Sequence, residues 1–324
     1  MTTLEKLTHT YHAELEGFNE RIARRLSCSN TLMTNIVMSL LQSRGKQLRP
    51  LLLIMCARMF GQANDKVLAS AAAVELLHNA SLIHDDVVDN SLTRRSRPTV
   101  NAVWDNHIAV LVGDFFTSSA MQEAISTGEM RIIETLCTLG RSLSLGEIDQ
   151  ICRARQHNID EESYYQVVDY KTASLFVASA RMGCLAAGID DERMEILSRY
   201  AMLFGRCFQL RDDVFDYFDS ERIGKPTGND LREGKISLPL IMALNNPAAP
   251  EREKILSLAC QESLSDEEIM LLQAYARDNG GIEATFQVME QLKEEACRDL
   301  EALPDTVTRQ ELVELFDFII KRDF

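Results

Sequence analysis

The sequence predicts an all-α fold, and two observations carry that reading. Only seven Pro and fifteen Gly interrupt 324 residues. Between them, apolar residues recur at helical spacing over long stretches. With 46% hydrophobic residues the chain can bury a large core. Length alone allows one large domain or two. No internal boundary is visible, because Asn245 to Pro250 reads as a turn and not as a linker. Residues 1–324 are therefore expected to form a single domain, one large helical bundle.

In chain order, residues 3–26 read as a polar amphipathic helix and 31–43 as a more apolar one. Next comes Gly45-Lys46-Gln47-Leu48-Arg49-Pro50. Pro50 suits a first helical turn, where its missing N–H is not needed. Lys46 and Arg49 would then flank a helix N-terminus, which attracts anions; two solvated loop cations are the competing reading. An apolar helix over about 52–60 leads to a longer one over about 66–89. That helix carries His78 and ends in His84-Asp85-Asp86-Val87-Val88-Asp89, with Arg94, Arg95 and Arg97 beyond it. Further helices are expected over 100–126, 130–155, 161–187 and 191–219. The third of these holds Lys171-Thr172 in an apolar, small-residue setting, where a buried lysine needs a partner; a structural carboxylate there is the competing reading. The fourth holds Phe208-Gln209-Leu210-Arg211-Asp212-Asp213-Val214-Phe215-Asp216. Its Gly-rich sequel, Gly224 to Lys235, lacks the spacing of a P-loop; Lys225 and Lys235 make it a candidate lid over an anion, with a plain connecting loop as the competing reading. Helices over 236–245, 251–260, 266–277, 281–302 and 307–321 complete the chain.

The chemistry lies in the repeated pattern Asp-Asp-x-x-Asp. Positions i and i+4 share a helical face, so Asp85 and Asp89 point the same way. Three carboxylates ending an apolar helix repel one another and resist desolvation, which calls for a cation held through oxygens. A solvated acidic helix end explains one such pattern equally well. By composition, one copy arises in roughly 7% of chains this long and two in well under 1%. The second copy, Asp212–Asp216, therefore decides for the metal. The motifs lie 127 residues apart and read as facing walls of one bundle, not as short repeats. Two carboxylate clusters could hold two or three Mg²⁺ ions around a polyphosphate, with Arg and Lys completing its neutralisation. Guanidinium groups suit phosphate oxygens. A lone His such as His78 on an apolar helix is more often a satisfied core residue. No nucleophile elbow, zinc-protease helix or dinucleotide fingerprint is present.

The net charge of −15 argues against nucleic acid as a partner and against an electrostatic hold on anionic lipid. Eight scattered cysteines form no metal-like pairs and imply a reducing compartment. Neither a targeting segment nor a stretch approaching the ~20 apolar residues of a membrane span is visible. A cytoplasmic location is expected.

The blocks Gly-Lys-Gln-Leu-Arg-Pro, Arg-Arg-x-x-Pro-Thr, Lys-Thr-Ala, Phe-Gln-x-x-Asp-Asp and Gly-Lys-x-x-Gly-Asn-Asp-Leu join the two aspartate motifs. Together they make the chain resemble the trans-isoprenyl diphosphate synthases of the polyprenyl synthetase family over nearly its whole length. The resemblance implies an all-α bundle around a deep central cavity, a homodimer, and Mg²⁺-dependent elongation of an allylic diphosphate with isopentenyl diphosphate. By motif match, Asp85, Asp89 and Asp212 are the leading metal ligands, supported by Asp86, Asp213 and Asp216. Lys46, Arg49, His78 and Arg95 would bind isopentenyl diphosphate, with Phe208 nearby. Arg94, Lys171, Thr172, Gln209, Lys225 and Lys235 would hold the allylic diphosphate. Ser96 departs from the Gly common in the family's arginine block, and Lys321-Arg322 matches too weakly to assign. Ala80 and Ser81, five and four residues before Asp85, are small where short-chain members carry bulky aromatics. An open cavity there implies a product of roughly C30 to C50, octaprenyl-like, with Phe115, Phe116 and Met121 as floor candidates. Transient membrane contact would release so lipophilic a product. Competing readings are a short-chain synthase, a terpene cyclase and a non-catalytic partner subunit.

Overall fold

The structure is a computed structural model that describes residues 2–42, 45–95, 97–156, 159–218, 227–261 and 263–322, the side chains of 154–156 excepted. Its elements run α1 (Thr3–Thr10), α2 (His12–Arg25), α3 (Thr31–Gln42), α4 (Leu48–Arg58) and α5 (Asp65–Val88). A two-stranded hairpin, β1 (Thr93–Arg94) and β2 (Arg97–Pro98), pairs Thr93 with Pro98 and Arg94 with Arg97. Then follow α6 (Val100–Val103), α7 (Asn106–Ser126), α8 (Met130–Gln156) and α9 (Glu161–Val168). A π-helical turn, Asp169–Ala173, leads into α10 (Ser174–Ala187) and α11 (Asp191–Asp216). The remainder is α12 (Asn229–Arg232), α13 (Leu238–Asn245), α14 (Arg252–Ala259), α15 (Asp266–Asp278), α16 (Gly281–Leu300) and α17 (Val307–Lys321). The all-α expectation holds, the hairpin excepted.

Backbone contacts divide the chain into two compact units. One comprises Met1–Arg141, Leu175–Ser198 and Leu303–Leu312; the other comprises Ser142–Ser174, Arg199–Ala302 and Val313–Phe324. In the first, α5 packs along α7 and also against α2 and α4. Ala71, Ala72, Ala73, Val74 and Leu76 of α5 are fully buried, as are Leu52 to Ala57 of α4. Small side chains let the helices approach closely, which is why an Ala-rich helix sits at the centre. Buried Glu123 of α7 takes Arg21 and Arg25 of α2, and Tyr11 donates to buried Glu311 at 2.6 Å. In the second unit, Tyr200, Phe204 and Phe316 form an aromatic cluster with centroids 5.6–6.0 Å apart.

Four elements differ from the sequence expectation. The 3–26 helix breaks at Tyr11, whose backbone leaves the helical region at ψ 21. α4 begins at Leu48, so Pro50 does fall in a first turn. The 100–126 helix is two, because Asp105 caps α7 by accepting from the Ile108 N–H at 2.8 Å. The 161–187 helix is interrupted by the π turn. The span expectation also needs correcting. By length and composition α5 could cross a bilayer, with 24 residues and a window of mean hydropathy 1.2. Of that window 67% is buried within the protein, as in the central helix of a folded core.

Candidate functional site

In the first unit, the last turns of α5 carry the first aspartate motif. Asp85 and Asp89 are half-buried and one turn apart, with the Asp89 N–H bonded to the Asp85 carbonyl at 2.8 Å. Asp86 turns inward, 5% exposed, and accepts from Arg94 Nε at 2.8 Å. Burial pushes the Asp86 carboxyl above its ordinary value, against the pull of Arg94, and the Asp89 charge adds to the rise. The ring of His84 lies against Gly113 of α7, with Nε2 3.2 Å from the Val110 carbonyl. A Cβ on Gly113 would stand 2.1 Å from that nitrogen. A bare backbone at Gly113 thus lets the motif-bearing end of α5 reach α7.

Around His78 the cations of two sequence blocks converge. A Cβ on Gly45 would lie 2.6 Å from Arg95 Nη2, so the Arg95 guanidinium rests on the backbone beside Lys46. Arg95 itself adopts a left-handed backbone (φ 52), unusual for a bulky residue and worth about 1–3 kcal/mol of strain. Ser96, the expected departure in this turn, lies outside the described residues. Arg49 stacks over Phe176 at 5.0 Å. His78 is buried, and burial followed by the charges of Arg49, Arg95 and Arg94 holds its imidazole well below the ordinary value. Glu75, one turn before His78, is a participant the sequence reading passed over. Burial raises its carboxyl while Arg49 and Arg95 draw it down. A lone Glu in an apolar helix three residues from His78 was the available signal. A cavity of about 70 Å³ is lined by Asn79, Asp86, Arg94, Arg95 and Arg97. Lys46 is exposed beside the start of α4.

Ala80 is buried, and half-buried Ser81 donates to the His78 carbonyl at 2.9 Å. On α7, Phe116 is buried and Phe115 half-buried. Met121 does not join them. It is 43% exposed on the stripe that also shows Val110, Leu111 and Ile125, so the floor reading does not extend to it.

In the second unit, one cavity of about 180 Å³ gathers Lys171, Thr172, Gln209, Asp213, Asp230 and Lys235, with Gln150, Arg153 and Tyr164 among its other walls. Lys171 pairs with a carboxylate, the competing reading of the sequence: Glu147 of α8 lies at 2.6 Å, with Gln150 Oε1 at 3.3 Å. Thr172 donates to Gln209 Oε1 at 2.7 Å, and Gln209 Nε2 donates to Asp213 Oδ1 at 2.8 Å. Tyr164 donates to the other Asp213 oxygen. Burial above all, aided by the charges of Asp212 and Asp216 and only partly offset by Tyr164 and Gln209, lifts Asp213 to about 7. Asp230 is raised too, by burial and then by Asp213 and Asp216. Lys235 pairs with Glu233. Lys225 lies outside the described residues. Four of the six groups assigned to the allylic diphosphate thus meet in one cavity, whereas Arg94 lies in the first unit.

Asp212 pairs with Arg322, a residue left unassigned at the sequence level. Arg322 is 7% exposed, covers the Phe208 ring at 4.4 Å and reaches the Phe208 carbonyl at 3.3 Å. Arg211 donates to the Arg322 carbonyl at 2.6 Å, which anchors the end of α17. Asp216 accepts from the N–H groups of Asn229 at 3.2 Å and Asp230 at 3.1 Å.

No group of three His, Cys, Asp or Glu side chains among the described residues is gathered closely enough to hold a metal ion alone. The donor chemistry nevertheless fits a hard divalent cation. Each motif supplies carboxylate oxygens only, and Mg²⁺ usually takes one or two carboxylates and completes its shell with water and phosphate oxygens. A cation beside Asp212, Asp213 and Asp216 would relieve the repulsion that raises Asp213.

An all-α chain with two aspartate-ended helices and a cation-lined cavity is of the prenyl-synthase class. Residues 30–276 match the polyprenyl synthetase family, and the chain belongs to it. The octaprenyl diphosphate synthase of Escherichia coli strain K12 is 33% identical over 321 residues, covering 99% of each chain. A polyprenyl synthase from Caulobacter crescentus CB15, solved with calcium and isoprenyl diphosphate, has 32% identity and a TM-score of 0.91, covering 98% of each chain. A decaprenyl diphosphate synthase from Rhodobacter capsulatus has the same identity and TM-score, covering 98% of this chain and 99% of its own.

Proposed function

We propose that this chain is a Mg²⁺-dependent trans-polyprenyl diphosphate synthase. It elongates an allylic diphosphate by successive condensation with isopentenyl diphosphate to a long-chain, octaprenyl-like product and diphosphate. The observation that carries this is the cavity where Lys171, Thr172, Gln209 and Lys235 meet Asp213 and Asp230. Neither an anion alone nor a cation alone satisfies such a wall. A diphosphate accompanied by divalent metal satisfies both signs.

Asp85 and Asp89 of one motif and Asp212 of the other would each hold Mg²⁺, two or three ions in all, with Asp86, Asp213 and Asp216 supporting the motif to which each belongs. Bound metal supplies neutralisation of the departing diphosphate. Lys171 and Thr172 grip that diphosphate, with Gln209 locked by Thr172 and Asp213 in one orientation. Lys46, Arg49 and Arg95 bind the diphosphate of isopentenyl diphosphate, and neutral His78 adds a hydrogen bond without a further charge. Attack by the isopentenyl double bond then forms the new carbon–carbon bond, and the released diphosphate takes the proton that is lost. Apolar walls keep water from the allylic cation.

Small Ala80 and Ser81 support the long product. With farnesyl diphosphate, isopentenyl diphosphate and Mg²⁺, the purified protein should make long-chain products, and Ala80→Phe or Ser81→Phe should shorten them. Wild-type products stopping at farnesyl or geranylgeranyl length would sink the long-chain reading. Activity without a partner separates a synthase from a non-catalytic subunit. The exposed apolar stripe of α7 supports a homodimer. A cytoplasmic enzyme with transient membrane contact for product release completes the proposal.

A further inference from the structure

Arg206, Gln209 and Asp213 of α11 lie at i, i+3 and i+7, one helical face. Each takes a partner from the segment ending in the π turn. Asp213 takes Tyr164, Gln209 takes Thr172, and Arg206 takes Asp169 through two N–H groups, each 2.6 Å from a carboxylate oxygen. The first two contacts line the cavity. The third does not, and neither of its residues is among the cavity walls. Arg206 also lies 5.3 Å from the Tyr165 ring, which fixes the plane of its guanidinium.

Asp169 is where the π turn closes. Its carbonyl accepts the Ser174 N–H, five residues on, while its carboxylate takes Arg206. A π turn is one residue wider than an α turn, is rare, and frequently sits at functional sites. Were it to relax to α geometry, the register would slip by one residue, about 100° about the helix axis across the turn, and Lys171 and Thr172 within it would rotate by part of that angle. The ammonium and hydroxyl would then leave the cavity. We infer that Asp169 and Arg206 are a positioning pair, which holds the π register and so aims Lys171 and Thr172 at the allylic diphosphate. This rests on the reading of that cavity given above. A bidentate charged pair, half-buried and aligned in two directions, suits the task better than a single hydrogen bond.

Steady-state kinetics on the full-length protein with Mg²⁺ test the pair. Arg206→Met and the isosteric Asp169→Asn should each raise KM for farnesyl diphosphate roughly tenfold while KM for isopentenyl diphosphate stays within about twofold. The double variant should be no worse than either single one, as for residues that act as a unit. Asp169→Asn keeps the packing and tests the pair even where Arg206→Met folds poorly. Additive losses, or equal rises in both KM values, would overturn the pair. Lys171→Ala is the control: if it raises the allylic KM and the pair variants do not, the positioning role fails and the cavity reading stands. If Lys171→Ala changes nothing, the cavity reading itself fails, and the inference with it.

Discussion

His78 shows how burial and neighbours set the charge of one residue. Desolvation and the nearby Arg49, Arg95 and Arg94 all disfavour its imidazolium, so it stays neutral in the folded chain at pH values where a free imidazole titrates. The unfolded chain binds a proton on His78 below about pH 6.5, and the folded chain does not. Stability therefore falls as pH drops through that value and is level in this term above it, with a limiting slope of about 1.4 kcal/mol per pH unit. Urea midpoints from pH 7.5 to 5.5 should fall more steeply for wild type than for His78→Gln. Equal slopes would mean that His78 titrates alike in the folded and the unfolded chain. Neutrality also has a use: a third or fourth positive charge beside the arginines would have to be desolvated when no diphosphate is bound.

Gly113 shows the same economy between elements. Its missing side chain is the reason the end of α5 can rest on α7, since a Cβ would stand 2.1 Å from His84 Nε2 and 2.4 Å from Cδ2. Gly113→Ala should lower stability by about 1–3 kcal/mol through overpacking. Adding His84→Ala should restore most of the loss, which a double-mutant cycle of thermal midpoints would read; a purely additive double variant would rule out the steric cause. None of this contact was legible in the sequence, where Gly113 reads only as a weak spot in a helix. What was legible followed period and chemistry. The helices showed through apolar spacing, and the aspartate motifs through their i, i+4 carboxylates. The π turn escaped because Asp169–Ala173 contains no Gly or Pro and keeps the helical pattern on either side. Arg322 escaped because its partner Asp212 lies 110 residues away, and no local pattern announces so distant an ion pair. No local pattern marks Glu147 out as the partner of Lys171, because the two lie on different helical segments.

For the molecule as a whole, the −15 charge and the outward stripe of α7 pull in opposite directions. Two copies of so acidic a chain repel, and the repulsion is screened within about 10 Å at 0.1 M salt. Val110, Leu111, Met121 and Ile125 are 41%, 63%, 43% and 60% exposed along one face of α7, two apolar pairs with Asp114 and Ser118 between them, and exposed apolar side chains gathered on one face mark interaction sites. If this stripe is the seam of the proposed homodimer, burial of apolar area must exceed the charge repulsion, and adding salt should tighten the dimer instead of dissociating it. Sedimentation velocity should show a wild-type dimer whose dissociation constant falls from low to moderate salt. Leu111→Glu combined with Ile125→Glu, about four turns apart on a surface already open to water, should leave the monomer fold intact and remove the dimer. A double variant that sediments like the wild type would place the seam elsewhere, and a dimer weakened by salt would mean that ion pairs, and not this stripe, hold it.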